Sequence, residues 1–260
     1  MLDIDIFNSN DEAVESRLVT SIRQLDSRLG NLPDGIVVLK GKAGTGKTAL
    51  ALQLAKDCKQ SAIFVTAEMS QQALAYRLIA RTTNTSLSSI VNRQISKDDL
   101  SAAWDFTKQN TAFVHIEDSI HGFISPDYLK DAVSKVKAND GSTKVLLVID
   151  SISDWISKAR KSYPDLDNQG LAKKFAVELN DIAKEDGFTV LAVLQSDQDK
   201  KIDDIFEFAA EVVLQLSYER DGRVNKDGLK QSNLKVLKNR FGTTGTIILD
   251  FNGEYQSFIE

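Results

Sequence analysis

The segment Gly41, Lys42, Ala43, Gly44, Thr45, Gly46, Lys47 and Thr48 constrains this chain more than any other feature. It fits the spacing G-x-x-x-x-G-K-[ST], follows the apolar run Gly35–Gly41, and precedes a helical pattern that packs through Ala49, Leu50, Ala51, Leu54 and Ala55. A glycine-rich turn between strand and helix lets backbone N–H groups curl around a phosphate chain, with the helix N-terminus adding partial positive charge. Lys47 then reaches the β- and γ-phosphates of such a chain, and Thr48 offers a hydroxyl to Mg²⁺. A chain built around this turn needs a parallel strand on one side and a helix on the other, which selects an α/β sheet.

The rest of the chain alternates in the same way. Strands are expected at Ala62–Thr66, Thr111–Glu117, Lys144–Asp150 and Phe188–Gln195. Helices are expected after Ser70, after Ser96, over Tyr128–Lys137 and over Leu171–Asp186, with Gly187 as a left-handed stop. Beyond residue 210 the pattern becomes β-rich at Glu211–Tyr218, Ser232–Lys238 and Thr244–Phe251, with turn signals at Asp221-Gly222, Asp227-Gly228 and Asn252-Gly253. The expected architecture is a largely parallel twisted sheet flanked by helices and extended by antiparallel C-terminal strands. An N-terminal arm over 1–17 precedes one domain over 18–260. The arm carries Leu2, Ile4, Ile6 and Phe7, a pattern open to a strand laid on a neighbour or to a plain terminus.

Candidate chemistry gathers at strand ends. Asp150 closes the most apolar strand, where an acid can complete a Mg²⁺ shell with Thr48. Glu68 follows the Ala62–Thr66 strand and suits a general base for attacking water, although a carboxylate there also suits the first turn of the next helix. Gln195 ends the Phe188–Leu194 run, where an amide can sense a γ-phosphate or simply close a strand. His115 and His121 have no ligand company at metal spacing and read as structural or surface residues.

Charge and cysteine content exclude several classes. With 32 Lys plus Arg against 37 Asp plus Glu, the net charge is −5, which argues against a histone-like nucleic-acid coat. Basic residues still concentrate locally at Lys158, Arg160, Lys161, Lys173 and Lys174, and again over residues 220–240. A single cysteine, Cys58, closes no intramolecular disulfide, no secretion signal opens the chain, and no apolar run approaches a membrane span. The expected compartment is the cytoplasm, with no membrane association.

Motif order adds a family. Thr66-Ala-Glu-Met-Ser70 and the following Gln-Gln-Ala-Leu-Ala-Tyr-Arg-Leu-Ile-Ala resemble the DnaB helicase segment in which the catalytic glutamate precedes Met-Ser. Leu147-Val-Ile-Asp-Ser-Ile152 and Lys238-Asn-Arg-Phe-Gly242 look closer to RadA. The stretch Thr20–Gly35 is similar to the lead-in strand of RadA and KaiC-type proteins. The resemblance to this RecA-like P-loop ATPase core spans roughly residues 18–258 and implies ATP hydrolysis between subunits of a ring or filament, with a hexamer expected. It also implies that Lys238 and Arg240 reach a neighbour's γ-phosphate, in accord with the need of a developing phosphoryl charge for cations. By the same resemblance, the loops after Asp150 and Gln195, carrying Lys158, Arg160, Lys161, Lys200 and Lys201, line a channel for single-stranded DNA. The expected function is a DnaB- or RadA-like helicase or branch-migration motor. A KaiC- or loader-type regulatory ATPase and a recombination filament are the alternatives. No Leu-Ser-Gly-Gly-Gln signature or arginine-rich lid points to a transporter or small kinase.

Overall fold

The computed structural model describes residues 18–111, 113–196, 198–218, 224–226 and 228–260. The expected arm over 1–17 and the turn at Asp221-Gly222 lie outside them, as does Asp227. Strands are β1 (Gly35–Gly41), β2 (Ser61–Thr66), β3 (Val114–Asp118), β4 (Val145–Asp150), β5 (Thr189–Gln195), β6 (Val212–Tyr218), β7 (Lys230–Asn239), β8 (Gly245–Asn252) and β9 (Ser257–Ile259). Helices are α1 (Arg23–Leu29), α2 (Lys47–Asp57), α3 (Gln71–Thr83), α4 (Leu87–Val91), α5 (Lys97–Asn110), α6 (Pro126–Asp140), α7 (Ile152–Ala159), α8 (Asn168–Glu185) and α9 (Lys200–Ala209).

These strands join one sheet in the order β3-β2-β4-β5-β1-β6-β7-β8-β9. Neighbours are parallel from β3 to β6 and antiparallel from β6 to β9. The central strands read as continuous apolar runs because both of their faces are covered. In β1, Val37 and Leu39 enter a layer shared with α1 and α2, while Ile36 and Val38 enter one shared with α6, α7, α8 and α9. A smaller cluster around Ile79, Ala80 and Ile90 joins α3, α4 and α5.

Helix starts follow side-chain caps. Ser70, Ser96, Ser125, Ser151 and Asp167 each accept a hydrogen bond from a free first-turn amide, which sets the first residue of α3, α5, α6, α7 and α8. Pro126 at the start of α6 costs no hydrogen bond there, so the helix begins before Tyr128.

Three expectations change. The Thr20–Gly35 segment holds α1 rather than a lead-in strand: Thr20 N donates to Asp26 Oδ1 at 2.7 Å, Leu25 and Leu29 are buried, and Gly30 closes the helix with φ +59°. The third strand starts at Val114, because Thr111 still caps α5 and donates its hydroxyl to Thr107 O at 2.8 Å. The stretch after Asp150 opens with helix α7, which holds Lys158 and leaves Arg160 and Lys161 in the loop that follows, and Lys200 and Lys201 open helix α9 rather than lying in a loop. Ile152, Trp155, Ile156 and Ala159 bury one face of α7, and Asp199 caps α9.

Candidate functional site

The carboxyl ends of β1, β2, β4 and β5 open into a cavity of about 400 Å³ lined by Gly44, Gly46, Lys47, Thr48, Glu68, Arg77, Asp150 and Gln195, among others. Ligand crevices of parallel sheets lie at this edge. Two glycines of the turn are required by contact. A Cβ on Gly41 would stand 2.5 Å from Leu216 O, and one on Gly46, at φ +93°, would stand 2.9 Å from Phe258 Cζ. Phe251 and Phe258 stack at 4.5 Å beneath the turn and support it.

Lys47 Nζ donates to Lys42 O at 2.8 Å, so the amine lies folded across the mouth of its own loop. Thr48 Oγ1 donates to Asp150 Oδ2 at 2.7 Å. Asp150 is 4% exposed. Burial pushes its carboxyl up to about 6 against the Thr48 hydrogen bond, and the charge of Glu68 adds to the rise. One carboxylate and one hydroxyl oxygen in contact at a cavity wall fit a hard divalent cation, whose charge would offset the buried acid. Thr48 and Asp150 are the residues that would hold it.

Glu68 is exposed at the cavity rim. The backbone before it is pinned from two sides: Ala67 N donates to Asp150 O at 2.8 Å, and Lys158 Nζ donates to Ala67 O. Gln195 is half-buried in the opposite wall, and the next amide, Ser196 N, donates to Gly41 O at 3.1 Å. The structure thus brings Lys47, Thr48, Glu68, Asp150 and Gln195 together.

It places Lys238 and Arg240 elsewhere. Arg240 N donates to Glu211 O at 3.1 Å, and Glu211 N donates to Ile36 O at 2.8 Å. The pair is therefore level with the amino end of β1, roughly 16 Å along the strand from Gly41. Lys238 Nζ donates to Glu207 O and Phe208 O, each at 3.0 Å, capping the end of α9. Burial lowers the Lys238 ammonium from its ordinary value, with Arg240 adding to the fall. Within one chain these cations face away from the phosphate turn.

The basic residues assigned to channel loops divide. Lys158 is half-buried and committed to Ala67, while Arg160 is exposed with Nη1 on Leu166 O at 2.8 Å. Lys161, Lys200 and Lys201 are exposed, the last two opening the first turn of α9. His115 Nε2 lies 3.0 Å from Asp140 Oδ2, which also accepts from Ser61, so this histidine pins β3 to the end of α6.

Sequence reading missed Arg77. It lies on the inward side of α3, three residues after Leu74, and donates to Gln256 Oε1 at the cavity wall. Burial lowers its guanidinium from the ordinary value, and the charge of Asp150 opposes that fall. A cation in phase with the buried Leu74 was the available signal. Gln256 and Phe251 carried no such signal: Phe251 sits near the end of β8, and only the β8–β9 turn, where Asn252 Oδ1 accepts from Glu254 N and Tyr255 N, returns Gln256 to the site.

Comparison with known proteins agrees with this geometry. A family model described as the DnaB-like helicase C terminal domain matches residues 18–260. A probable replicative DNA helicase from Trieres chinensis is 25% identical over 245 residues, covering 86% of this chain; the chain spans 53% of that relative's length. A solved structure described as an ATPase domain superposes with a TM-score of 0.79 at 20% identity, covering 100% of this chain and 99% of that one. A DnaB-like replicative helicase, solved in a study of its interactions with primase, gives 0.75 at 19% identity, covering 100% and 67%. A KaiC-like protein from Pyrococcus horikoshii OT3 gives 0.58 at 21% identity, covering 94% and 97%. Of the families whose motifs mix in the sequence, one model spans every structured element described above, and the chain belongs to the DnaB-like helicase C-terminal domain family.

Proposed function

We propose that the chain is the motor domain of a ring-forming ATPase that hydrolyses ATP to ADP and phosphate and acts on single-stranded DNA. One observation carries this reading: the residues it assigns to the nucleotide stand at opposite edges of the sheet. Lys47, Thr48, Glu68, Asp150 and Gln195 stand at the carboxyl edge, and Lys238 and Arg240 stand at the amino edge. A site completed by those cations needs a second copy, and a repeated head-to-tail contact of this kind closes into a ring when its rotation allows.

In this reading Lys47 and the loop amides grip the β- and γ-phosphates, and Arg77 adds a second cation from the same chain. Glu68 takes a proton from the attacking water, and Gln195 contacts the γ-phosphate while its neighbour Ser196 holds Gly41. Mg²⁺ held by Thr48 and Asp150 would neutralise charge on the phosphate oxygens. Lys238 and Arg240 complete the site on an adjacent copy, where such a finger contributes about 10³- to 10⁵-fold in rate.

DNA contact is assigned to Arg160, Lys161, Lys200 and Lys201. Two lysines in the first turn of α9 oppose the helix dipole, a cost that a phosphate backbone beside them would offset. The experiment is ATP turnover with and without single-stranded DNA, read beside mass in solution. Stimulation in a hexamer-sized species supports the proposal. A ring whose turnover ignores DNA would favour a regulatory ATPase gating a protein partner, and open helices would favour a recombination filament.

A further inference from the structure

Beneath the two amino-edge cations lies a buried carboxylate. Glu211, just before β6, is 3% exposed. Its backbone is bonded in both directions, to Ile36 and to Arg240. A carboxylate this deep persists only with compensating charge.

Two cations approach it from different elements. Lys184 Nζ, from the last turn of α8, stands 2.6 Å from Oε1, and Arg240 Nε stands 3.6 Å from Oε2. The Lys184 contact lies off the hydrogen-bond axis, leaving Oε1 without a hydrogen bond. The compensation is therefore ionic, close from Lys184 and loose from Arg240. Arg240 is 52% exposed in its side chain, and among the described residues no hydrogen bond engages either of its Nη groups. Lys238, by contrast, spends two hydrogen bonds on the end of α9.

We infer that Glu211 is the positioning residue of Arg240: it steers the guanidinium off the amino edge toward a phosphate held by another copy, and Lys184 keeps the carboxylate compensated once that phosphate engages the arginine. The inference rests on the trans role proposed above and deepens it. A loose contact serves this purpose better than a tight one, because a guanidinium locked bidentate to its own carboxylate would have no donors to lend.

The test is a double-mutant cycle on ATP turnover by the 260-residue chain, with melting temperature as a check on folding. Glu211→Gln is expected to lower kcat about tenfold with KM within about twofold, as for an interaction made in the transition state between contacting residues. Glu211→Asp, which keeps the charge and shortens the arm, is expected to lose less. Adding either change to Arg240→Ala is expected to cost nothing beyond Arg240→Ala alone. If Glu211→Gln does not fold, the Glu211→Asp arm runs the same cycle. Multiplicative losses, or a full kcat in Glu211→Gln beside a reduced one in Arg240→Ala, overturn the positioning role and leave the finger intact. A full kcat in Arg240→Ala itself brings down the trans reading and this inference with it.

Discussion

In the proposed mechanism Glu68 and Lys47 perform separable tasks, and single substitutions should split them. Lys47 supplies the amine folded over the phosphate turn, so Lys47→Ala should abolish ATP binding, measured by fluorescence titration with a labelled nucleotide. Glu68 stands exposed at the rim, and its replacement leaves that amine and the turn in place. Glu68→Gln should therefore bind ATP normally while turning over about 10²- to 10⁴-fold more slowly, the usual share of a general base. Unchanged turnover would remove the assignment. A second carboxyl offers a pH test. Asp203 on α9 is 5% exposed, and one of its oxygens has no hydrogen-bond partner among the described residues. Burial pushes it up to about 6, the charge of Glu207 adds to the rise, and Lys40 opposes it. The folded state then holds this proton more tightly than the unfolded chain does, so folding is favoured at low pH and loses stability as pH rises through about 6. Asp203→Asn should raise the melting temperature at pH 8, and the gain should shrink toward zero by pH 4. A constant gain across that range would assign the effect to something other than this proton.

Among the elements, β7 decides where the amino-edge cations point. Leu234 and Val236 face the layer containing α1, and regular alternation would send Lys238 and Arg240 the same way. The β6–β7 register instead steps from Val213 opposite Lys238 to Leu214 opposite Val236, so Leu237 is the extra residue of a bulge. Past it the faces exchange: Asn239 reaches Arg28 O on α1, and Lys238 turns to α9. Bulges re-aim side chains in this manner. Deleting Leu237 would leave Lys238 opposite Val213 on its present face. Inserting one residue between Leu237 and Lys238 should instead exchange the faces, drive both cations toward the apolar layer and abolish the finger's contribution to ATP turnover. Leu237→Ala, at a half-exposed site that keeps the bulge, should change stability by less than about 0.5 kcal/mol and leave turnover intact. Normal turnover in the insertion variant would refute the account. The bulge also marks a limit of sequence reading. That Lys238 and Arg240 share a face is legible from strand period, but which face is not, since a bulge leaves no residue signature here. The phosphate turn, β1, α2 and the Ser70 cap are legible because glycine, cap and apolar pattern act within a few residues of one another. Helices α7 and α9 read as loops only when the channel-loop resemblance outweighs the spacing of Ile152, Trp155, Ile156 and Ala159. Lys158 shows the consequence: a residue expected to meet DNA is instead hydrogen-bonded beside Glu68.

At the scale of the whole molecule, the decisive distance is the roughly 16 Å of strand between Gly41 and the level of Arg240. Under the proposed trans arrangement, a monomer holding ATP at one edge and its finger at the other can complete no site alone, so defects at the two edges should complement when placed in different copies. Lys47→Ala chains keep a sound finger and lack a phosphate grip, whereas Arg240→Ala chains keep the grip and lack the finger. Each variant alone should be nearly inactive. Mixed in equal amounts and allowed to reassemble, the two should regain activity at every junction where an Arg240→Ala grip meets a Lys47→Ala finger, about one quarter of sites if copies assort at random around a closed ring. The regained rate should vanish on dilution below the concentration at which the assembly dissociates, measured in parallel by mass in solution. Placing both substitutions in the same chain and mixing that chain with wild type should give no such gain, because every junction it contributes is deficient on one side. Recovery absent from the first mixture, in samples whose mass shows mixed assemblies, would mean that grip and finger do not belong to one shared site.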